Sequence, residues 1–267
     1  MITVENLNKS FEDKHILHDI STIFHEGKTN LVIGQSGSGK TVLINCLVGL
    51  HKPTSGKILY DGRDFTAMTK REITALRREI GMLWKMLHRE VGMLFQGSAL
   101  FDSLTVLENV LFPLNMFSDK NYKEQKQRAL FCLERVNLLE AQNKFPNEIS
   151  GGMQKRAAIA RAIAMEPKYL FCDEPNSGLD PKTSLVIDKL ISDITHENNI
   201  TTIVNTHDMN SVIGIGENIL YIDKGHKGWQ GSNQEILTSN NKQLNDFIFA
   251  SDFSKQLRED IISSMKK

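Results

Sequence analysis

The chain has 267 residues, 40% of them hydrophobic, which is enough for one large domain or two small ones with a substantial core. Its 32 Lys and Arg residues balance 32 Asp and Glu residues, so the whole-chain charge gives no reason to expect nucleic acid or an anionic membrane as the partner. The three cysteines, Cys46, Cys132 and Cys172, lack the spacing of a disulfide framework or a zinc site and are expected to be free, buried thiols.

Strands alternate with helices along the chain, which predicts a mainly parallel α/β core. Apolar segments bounded by turn residues predict strands at 1–8, 16–24, 30–33, 56–62, 169–172 and 201–204. Helices are predicted at 42–47, 122–139 and 151–164. We expect no secretory signal, and no stretch approaches the ~18 apolar residues of a membrane helix. If the protein works on a membrane, another chain must hold it there.

A short segment is duplicated in the middle of the chain. Residues 78–83, Arg-Glu-Ile-Gly-Met-Leu, recur as Arg-Glu-Val-Gly-Met-Leu at 89–94. This spacing is far below the ~20-residue period of solenoid repeats. We therefore predict an extended connection here rather than a repeat fold.

A glycine-rich loop follows the predicted strand 30–33 and precedes the predicted helix 42–47. Residues 34–41 match Gly-x4-Gly-Lys-[Ser/Thr] without a mismatch. The glycines let backbone amides turn inward around phosphate oxygens, the lysine reaches the β- and γ-phosphates, and the threonine hydroxyl binds Mg²⁺. The predicted nucleotide-binding residues are Gly34, Ser36, Gly37, Ser38, Gly39, Lys40, Thr41 and Val42.

Two adjacent carboxylates follow the predicted strand 169–172. A phosphate loop alone does not give hydrolysis, because metal and water still need to be placed. Side chains of neighbouring strand residues point to opposite faces, so Asp173 and Glu174 can take different roles. We expect Asp173 to hold Mg²⁺, directly or through water, and Glu174 to polarise the attacking water as the general base.

Two further positions extend the predicted site. His207 follows the predicted strand 201–204, where a neutral imidazole could hydrogen-bond the γ-phosphate or the attacking water. Ser150 is expected to cap the predicted helix 151–164, with exposed amides at Gly151 and Gly152. Two phosphate-binding helix starts for one nucleotide suggest a site shared between two chains.

Together these motifs resemble the ATPase subunit of an ABC transporter, over residues 1–240. The resemblance also rests on Gln96, which follows an apolar segment, and on the loop 177–180, Ser-Gly-Leu-Asp. It implies ATP and Mg²⁺ as cofactors and a second copy of the chain as a partner, with Asp180 across the dimer interface.

The resemblance assigns roles to further residues. It implies that Phe11 stacks on adenine. It implies that Gln96 links Mg²⁺ and the attacking water to a transmembrane partner. Ser150 and Gly152, with Gly151 between them, would bind the γ-phosphate of the ATP that the other copy holds.

Two features are similar to the MlaF-type ATPases of this family. The signature, residues 150–154, begins Ser-Gly-Gly-Met where most members carry Ser-Gly-Gly-Gln, and the loop 93–102 reads Met-Leu-Phe-Gln-Gly-Ser-Ala-Leu-Phe-Asp. This resemblance implies phospholipid transport with an integral-membrane MlaE-type permease and an MCE-domain lipid-binding protein. It also implies a peripheral position on the cytoplasmic face of the inner membrane.

The fold implied by the resemblance is that of the P-loop NTPases. It has a mainly parallel core sheet, an N-terminal antiparallel β subdomain and an inserted helical subdomain at 97–161. The segment 241–267 is predicted to be a helical extension, which reaches a partner ATPase, packs on its own domain or frays.

Other functional classes stay open at the level of sequence. A soluble ABC ATPase of an iron–sulfur-assembly or cell-division complex would carry the same motifs. A DNA-maintenance ATPase would split its site with long coiled coils, which this sequence lacks. A translation-type protein would need two cassettes, and the sequence has one.

Overall fold

The computed structural model describes residues 1–66, 90–250, 256 and 258. The chain divides into two compact units, one formed by Met1–Thr66 and Asn205–Lys267 and the other by Ala67–Val204. The first copy of the duplicated segment and most of the predicted tail beyond residue 250 lie outside the described residues, and both stay predictions.

The described residues form strands and helices that alternate along much of the chain. The strands are β1 (Ile2–Phe11), β2 (Lys14–Phe24), β3 (Thr29–Ile33), β4 (Ser55–Tyr60), β5 (Arg63–Asp64), β6 (Val91–Leu94), β7 (Tyr169–Asp173), β8 (Thr201–Asn205), β9 (Asn218–Asp223) and β10 (His226–Gly231). The α-helices are α1 (Lys40–Leu47), α2 (Val106–Phe117), α3 (Tyr122–Arg135), α4 (Gly151–Ile163), α5 (Pro181–Glu197), α6 (Met209–Ile215), α7 (Asn233–Thr238) and α8 (Lys242–Ile248).

The predicted strands and helices are all present, with shifted ends. The largest shift is in the helix predicted at 122–139, which ends at Arg135. Asn137 has a left-handed φ of 54°, a conformation that ends a helix and that asparagine tolerates better than most residues. Periodicity of apolar residues continued past this point, which explains the overlong prediction.

The first unit contains a four-stranded antiparallel sheet in the order β2-β1-β4-β5. Ile2, Val4 and Leu7 of β1 are buried, although the spacing from Val4 to Leu7 would put them on opposite faces of a regular strand. The register shifts between these two residues, where Asn6 has a φ of 49°. This bulge keeps both apolar side chains on the buried face. The sheet confirms the predicted antiparallel N-terminal region.

The same unit holds β10, β9 and β3 as neighbours in that order. β3 and β9 are parallel, and all five residues of β3 are buried. Complete burial is expected for a parallel strand that is covered on both faces. β3 leads directly into the phosphate loop and α1.

The described part of the C-terminal extension packs on the first unit. The ring of Phe247 in α8 stacks on Tyr221 of β9, with centroids 5.5 Å apart. The guanidinium of Arg258 donates to two carbonyls of residues 237–239, at 2.9 and 2.6 Å, and lies 5.1 Å from the centre of the Phe249 ring. These contacts favour packing on its own domain, one of the three predicted alternatives.

The second unit combines short strands with helices. β8, β7 and β6 are neighbours in that order, and β6 and β7 are parallel. α2 and α3 begin with capping boxes at Thr105 and Asn121. Arg128 of α3 donates to the carbonyls of Ile163 and Ala164 and so covers the end of α4. Parallel strand pairs, an antiparallel sheet and helices confirm the predicted α/β class.

Within the described ranges, no helix is both long and apolar enough to cross a membrane.

Candidate functional site

The phosphate loop lies in the first unit, between β3 and α1. Gly39 precedes α1 with a φ of 105°, which L side chains rarely adopt, and a Cβ atom there would lie 2.7 Å from Leu17 Cδ2. No side chain caps the start of α1. A bound anion can therefore accept from the first-turn amides at the positive end of this helix.

Two side chains of the loop fit a triphosphate. Lys40 is 8% exposed, and its Nζ donates to the carbonyls of Gly34 (2.8 Å) and Gln35 (3.0 Å), which holds the ammonium over the loop. Ser38 Oγ is buried and has no hydrogen-bond partner among the residues described. Such an orphaned group costs about 1–3 kcal/mol, which a phosphate oxygen that accepted from it would recover.

Thr41 and the end of β8 lie in the same unit. The Thr41 hydroxyl is 3.5 Å from Nδ2 of Asn205, which is 1% exposed and which sequence analysis missed. The available signal was a polar residue in an apolar strand, since buried amides need partners. His207 follows β8 and is exposed. The amide of the preceding Thr206 donates to the carbonyl of Val32 in β3 at 3.2 Å. His207 is thereby held beside the strand that leads into the phosphate loop.

Phe11, the predicted adenine contact, ends β1 and is 39% exposed. The Nζ of Lys9 lies 4.4 Å from the centre of its ring, and the ring of His51 meets it edge-on at 5.1 Å. Lys9 is anchored by the carbonyl of Lys52 at 3.0 Å. Because the ammonium covers one face of the Phe11 ring, we expect adenine to stack on the other.

In the second unit, parallel pairing brings Gln96 and Glu174 to neighbouring strand ends. Leu94 of β6 lies opposite Cys172 of β7, and Gln96 and Glu174 each follow two residues later. Gln96 is exposed, and its Nε2 lies 3.5 Å from the Ser177 hydroxyl in the loop before α5. Two predicted catalytic residues of this unit are therefore adjacent.

Glu174 departs from strand geometry. β7 ends at Asp173, and Glu174 has a left-handed φ of 49°. Strand alternation, on which the prediction of opposite faces rested, therefore does not describe Glu174. A left-handed conformation at a non-glycine residue costs about 1–3 kcal/mol and is concentrated at functional sites. Both carboxylates are half-buried.

A buried cation of α4 contacts both strand ends. Lys155 is 4% exposed, and its Nζ donates to the carbonyl of Gln96 and, at 3.5 Å, to that of Glu174. Burial lowers the pKa of Lys155, while Cys172, Asp173 and Glu174 act in the opposite direction. Sequence analysis missed Lys155, because a basic residue in an alanine-rich helix is usually exposed.

The signature begins α4 as predicted. Ser150 caps the helix, with its Oγ accepting from the Met153 amide at 3.3 Å. A Cβ at Gly152 would lie 2.7 Å from Thr183 Cγ2. Thr183 donates its amide, at 3.0 Å, and its hydroxyl to the carboxylate of Asp180, and these bonds lower the pKa of Asp180. The position of Asp180 across a dimer interface stays a prediction.

The predicted oxygen ligands suit Mg²⁺. No group of three or more His, Cys, Asp or Glu side chains in the described part of the chain could hold a metal ion. Mg²⁺ usually takes one or two carboxylates together with substrate phosphates and waters. The Thr41 hydroxyl, the Asp173 carboxylate and the Gln96 amide oxygen are hard ligands of that kind.

Known proteins share these motifs. A family model described as ABC transporter matches residues 17–177. The chain is 34% identical to the probable ribonucleotide transport ATP-binding protein mkl of Mycobacterium leprae, over 92% of this chain and 68% of that protein. It is 36% identical to the methionine import ATP-binding protein MetN of Haemophilus influenzae, over 99% of this chain and 74% of that protein.

Solved structures share the fold. The dimeric post-hydrolysis state of the ATP-binding cassette MJ0796, bound to ADP and Pi, matches with a TM-score of 0.75 and 32% identity, over 87% of this chain and 99% of that one. For cbiO1 from Clostridium perfringens, part of the ABC transporter complex cbiONQ, the TM-score is 0.76 and the identity is 30%. The match covers 91% of this chain and 94% of that one. The chain therefore belongs to the ABC transporter family, as a subunit that binds ATP and hydrolyses it to drive transport.

Proposed function

We propose that two copies of this chain bind ATP and Mg²⁺ between them and drive an integral-membrane permease that transports phospholipids. The observation that carries the cargo assignment is the Ser-Gly-Gly-Met signature, together with the loop 93–102. Both are similar to MlaF-type ATPases. The same resemblance supports an MCE-domain protein as a further partner and a position on the cytoplasmic face of the inner membrane.

Within one copy, the loop 34–41 holds the triphosphate. The Thr41 hydroxyl and the Asp173 carboxylate would hold Mg²⁺. The ion would supply positive charge that offsets the negative charge of the phosphates. Glu174 accepts the proton of the attacking water, and His207 hydrogen-bonds the γ-phosphate or that water.

The second copy completes the site. Its support is the dimeric arrangement of two cassette structures of the same fold. Ser150 and Gly152 of one copy bind the γ-phosphate of the other copy's ATP. Ser150 Oγ accepts from the Met153 amide, so the hydroxyl can donate its own proton to a phosphate oxygen. Loss of the γ-phosphate on hydrolysis removes this contact and lets the copies separate.

A groove in the second unit supports contact with the permease. Its volume is about 450 Å³, and its lining includes Phe95, Phe101 and Phe112. Phe101 and Phe112 are 42% and 37% exposed with ring centroids 4.6 Å apart, so they are not core residues. An apolar groove of this kind suits the apolar face of a helix from another chain. We assign it to a permease segment, with Gln96 in the adjoining loop as the link to the nucleotide.

The relatives favour a second candidate cargo. The proteins mkl and MetN are named for ribonucleotide transport and methionine import. A small polar solute would require a different permease but the same ATPase chemistry. The family match itself favours transport over a soluble assembly role.

Gentle purification from membranes tests these assignments. We expect a permease and phospholipid to copurify with this chain. We expect ATP hydrolysis by the complex to respond to phospholipid vesicles and not to methionine or ribonucleotides. A response to methionine or a ribonucleotide instead would contradict phospholipid transport. Recovery only in the soluble fraction, with no integral-membrane partner, would contradict the permease assignment.

A further inference from the structure

We infer that Lys155 is a positioning residue for ATP hydrolysis, which ties the helix that begins at the signature to the main chain at Gln96 and Glu174. The inference rests on the proposed roles of Gln96 and Glu174. Lys155 lies outside the motifs that bind nucleotide, and its side chain reaches their backbone rather than a substrate atom.

The first argument is the burial of Lys155 itself. Burying an ammonium is costly unless it is hydrogen-bonded. The other buried residues of α4 are all apolar, four alanines together with Ile159 and Ile163, so packing alone does not require a long cationic side chain here. The donors of Lys155 instead reach the carbonyls of Gln96 and Glu174. Both carbonyls lie beyond the ends of β6 and β7, where ladder hydrogen bonds have stopped.

The second argument is the strain at Glu174. Its left-handed φ of 49° needs enforcement by its surroundings. The Glu174 carbonyl accepts from the Ser177 amide at 3.1 Å and from Lys155 at 3.5 Å. Loss of the lysine donor would leave the turn that carries the general base less fixed.

The third argument is a matching contact further along α4. Arg161 donates to the carbonyls of Ser98 (2.9 Å) and Ala99 (2.6 Å), and these two consecutive residues have left-handed φ values of 61° and 48°. α4 thus holds the loop after β6 at Gln96 through Lys155 and at residues 98–99 through Arg161. A displacement of α4, which begins at Ser150, would therefore move Gln96 with it.

The test is Lys155→Met in the full chain, because methionine keeps an unbranched apolar stem and removes the charge and the donors. We expect kcat for ATP hydrolysis to fall by about 10- to 100-fold, the loss that a small misplacement of catalytic groups causes. The affinity for a fluorescent ATP analogue should stay within about twofold, because the loop 34–41 carries binding. Lys155→Arg, which keeps charge and donors, should restore most of kcat.

Arg156→Met is the matched control. Arg156 is the next residue of α4 and donates to the carbonyls of Val136 (3.0 Å) and Asn137 (3.2 Å) at the end of α3. We expect this variant to lower the melting temperature and leave kcat unchanged. If Lys155→Met does not fold, Lys155→Gln, whose shorter side chain cannot reach both carbonyls, takes its place with the same expected loss of kcat.

The outcomes separate the inference from the proposed function. An unchanged kcat in the Lys155 variants, or an equal loss in Arg156→Met, overturns the role of Lys155. Glu174→Gln should lose nearly all hydrolysis while it retains ATP binding. If Glu174→Gln loses hydrolysis and Lys155→Met keeps it, only the inference fails. If Glu174→Gln hydrolyses ATP normally, the proposed base is wrong and the inference falls with it.

Discussion

The helices α1 and α4 both begin beside glycine, but the two glycines have different structural roles. At α1, Gly39 has a φ of 105°, and no side chain caps the helix. At α4, Ser150 supplies the cap, and Gly152 provides room for Thr183 of α5. The first helix start leaves its amides for an anion, whereas at the second the Ser150 side chain already accepts from the Met153 amide.

This difference explains why the two sites differ in how easily they are recognised. A loop that wraps a phosphate needs particular backbone conformations at fixed spacing. Its sequence pattern is therefore specific for phosphate binding. A capped helix start with glycine is a common structural device. Its proposed function depends on a second copy of the chain, for which the only signal in the residues was a second phosphate-binding helix start. Single substitutions at the two helix starts test this difference.

The largest effect is expected at the phosphate loop. Lys40→Ala removes the charge that Gly34 and Gln35 hold over the loop. We expect ATP affinity to fall by about 100-fold, since a hydrogen bond to a charged group contributes up to about 3 kcal/mol. Titration with a fluorescent ATP analogue measures this loss.

Lys189→Ala is the control for the loss of a lysine. Lys189 is exposed on α5 and pairs with Asp193 of the same helix at 2.9 Å. Such a pair contributes at most a few tenths of a kcal/mol, so ATP affinity should be unchanged. Equal affinities of the Lys40 and Lys189 variants would contradict the assignment of the loop.

A smaller and different effect is expected at the signature. Ser150→Ala removes the hydroxyl that accepts from the Met153 amide and caps α4. This loss costs about 1 kcal/mol of stability. ATP binding by the isolated chain should be unchanged. Hydrolysis by the dimer should fall by about tenfold, because a hydrogen bond from Ser150 to the other copy's γ-phosphate is lost. Steady-state ATPase assays, with binding measured separately, distinguish these outcomes.

Mixing the two variants tests where Ser150 acts. If Ser150 serves the other copy's site, a dimer of one Lys40→Ala chain and one Ser150→Ala chain contains one site with both defects and one intact site. Hydrolysis should then exceed that of either homodimer. If Ser150 serves its own chain, every site of the mixed dimer carries one defect and no gain appears.

Sequence alone was sufficient where contiguous residues specify the chemistry. The phosphate loop lies between a strand and a helix, Asp173 ends a strand and Ser150 caps α4, as predicted, whereas Glu174 departs from strand geometry. Contacts between residues far apart in the chain could not be predicted from the sequence. Lys155 is buried in a helix, α4, that packs against β6, and the Thr41 hydroxyl lies 3.5 Å from Nδ2 of Asn205, 164 residues further along the chain. Helical period cannot indicate which strand ends a side chain will meet.

A third effect, on stability rather than on ATP binding or hydrolysis, distinguishes Gly152 from its neighbour Gly151. A Cβ at Gly152 would lie 2.7 Å from Thr183 Cγ2, whereas a Cβ at Gly151 would lie 3.9 Å from Leu179 Cδ2, an ordinary contact. Thr183 is stiff about its first side-chain torsion, and its hydroxyl is bonded to Asp180, so it cannot readily turn away. We expect Gly152→Ala to cost about 1–3 kcal/mol in unfolding free energy. Gly151→Ala should be neutral or stabilising by up to about 1 kcal/mol.

Urea unfolding of the nucleotide-free chain measures the unfolding free energies of both variants. The decisive measurement is on a double variant that combines Gly152→Ala with Thr183→Ser. Serine removes the methyl group that Gly152→Ala would meet and keeps the hydroxyl for Asp180. Gly152→Ala with Thr183→Ser should therefore regain most of the lost stability. If the double variant stays as unstable as Gly152→Ala, room for Thr183 is not the reason for glycine at this position. Glycine at 152 would then be required by its own backbone. The start of α4 would in that respect be like the start of α1, where the backbone of Gly39 requires glycine.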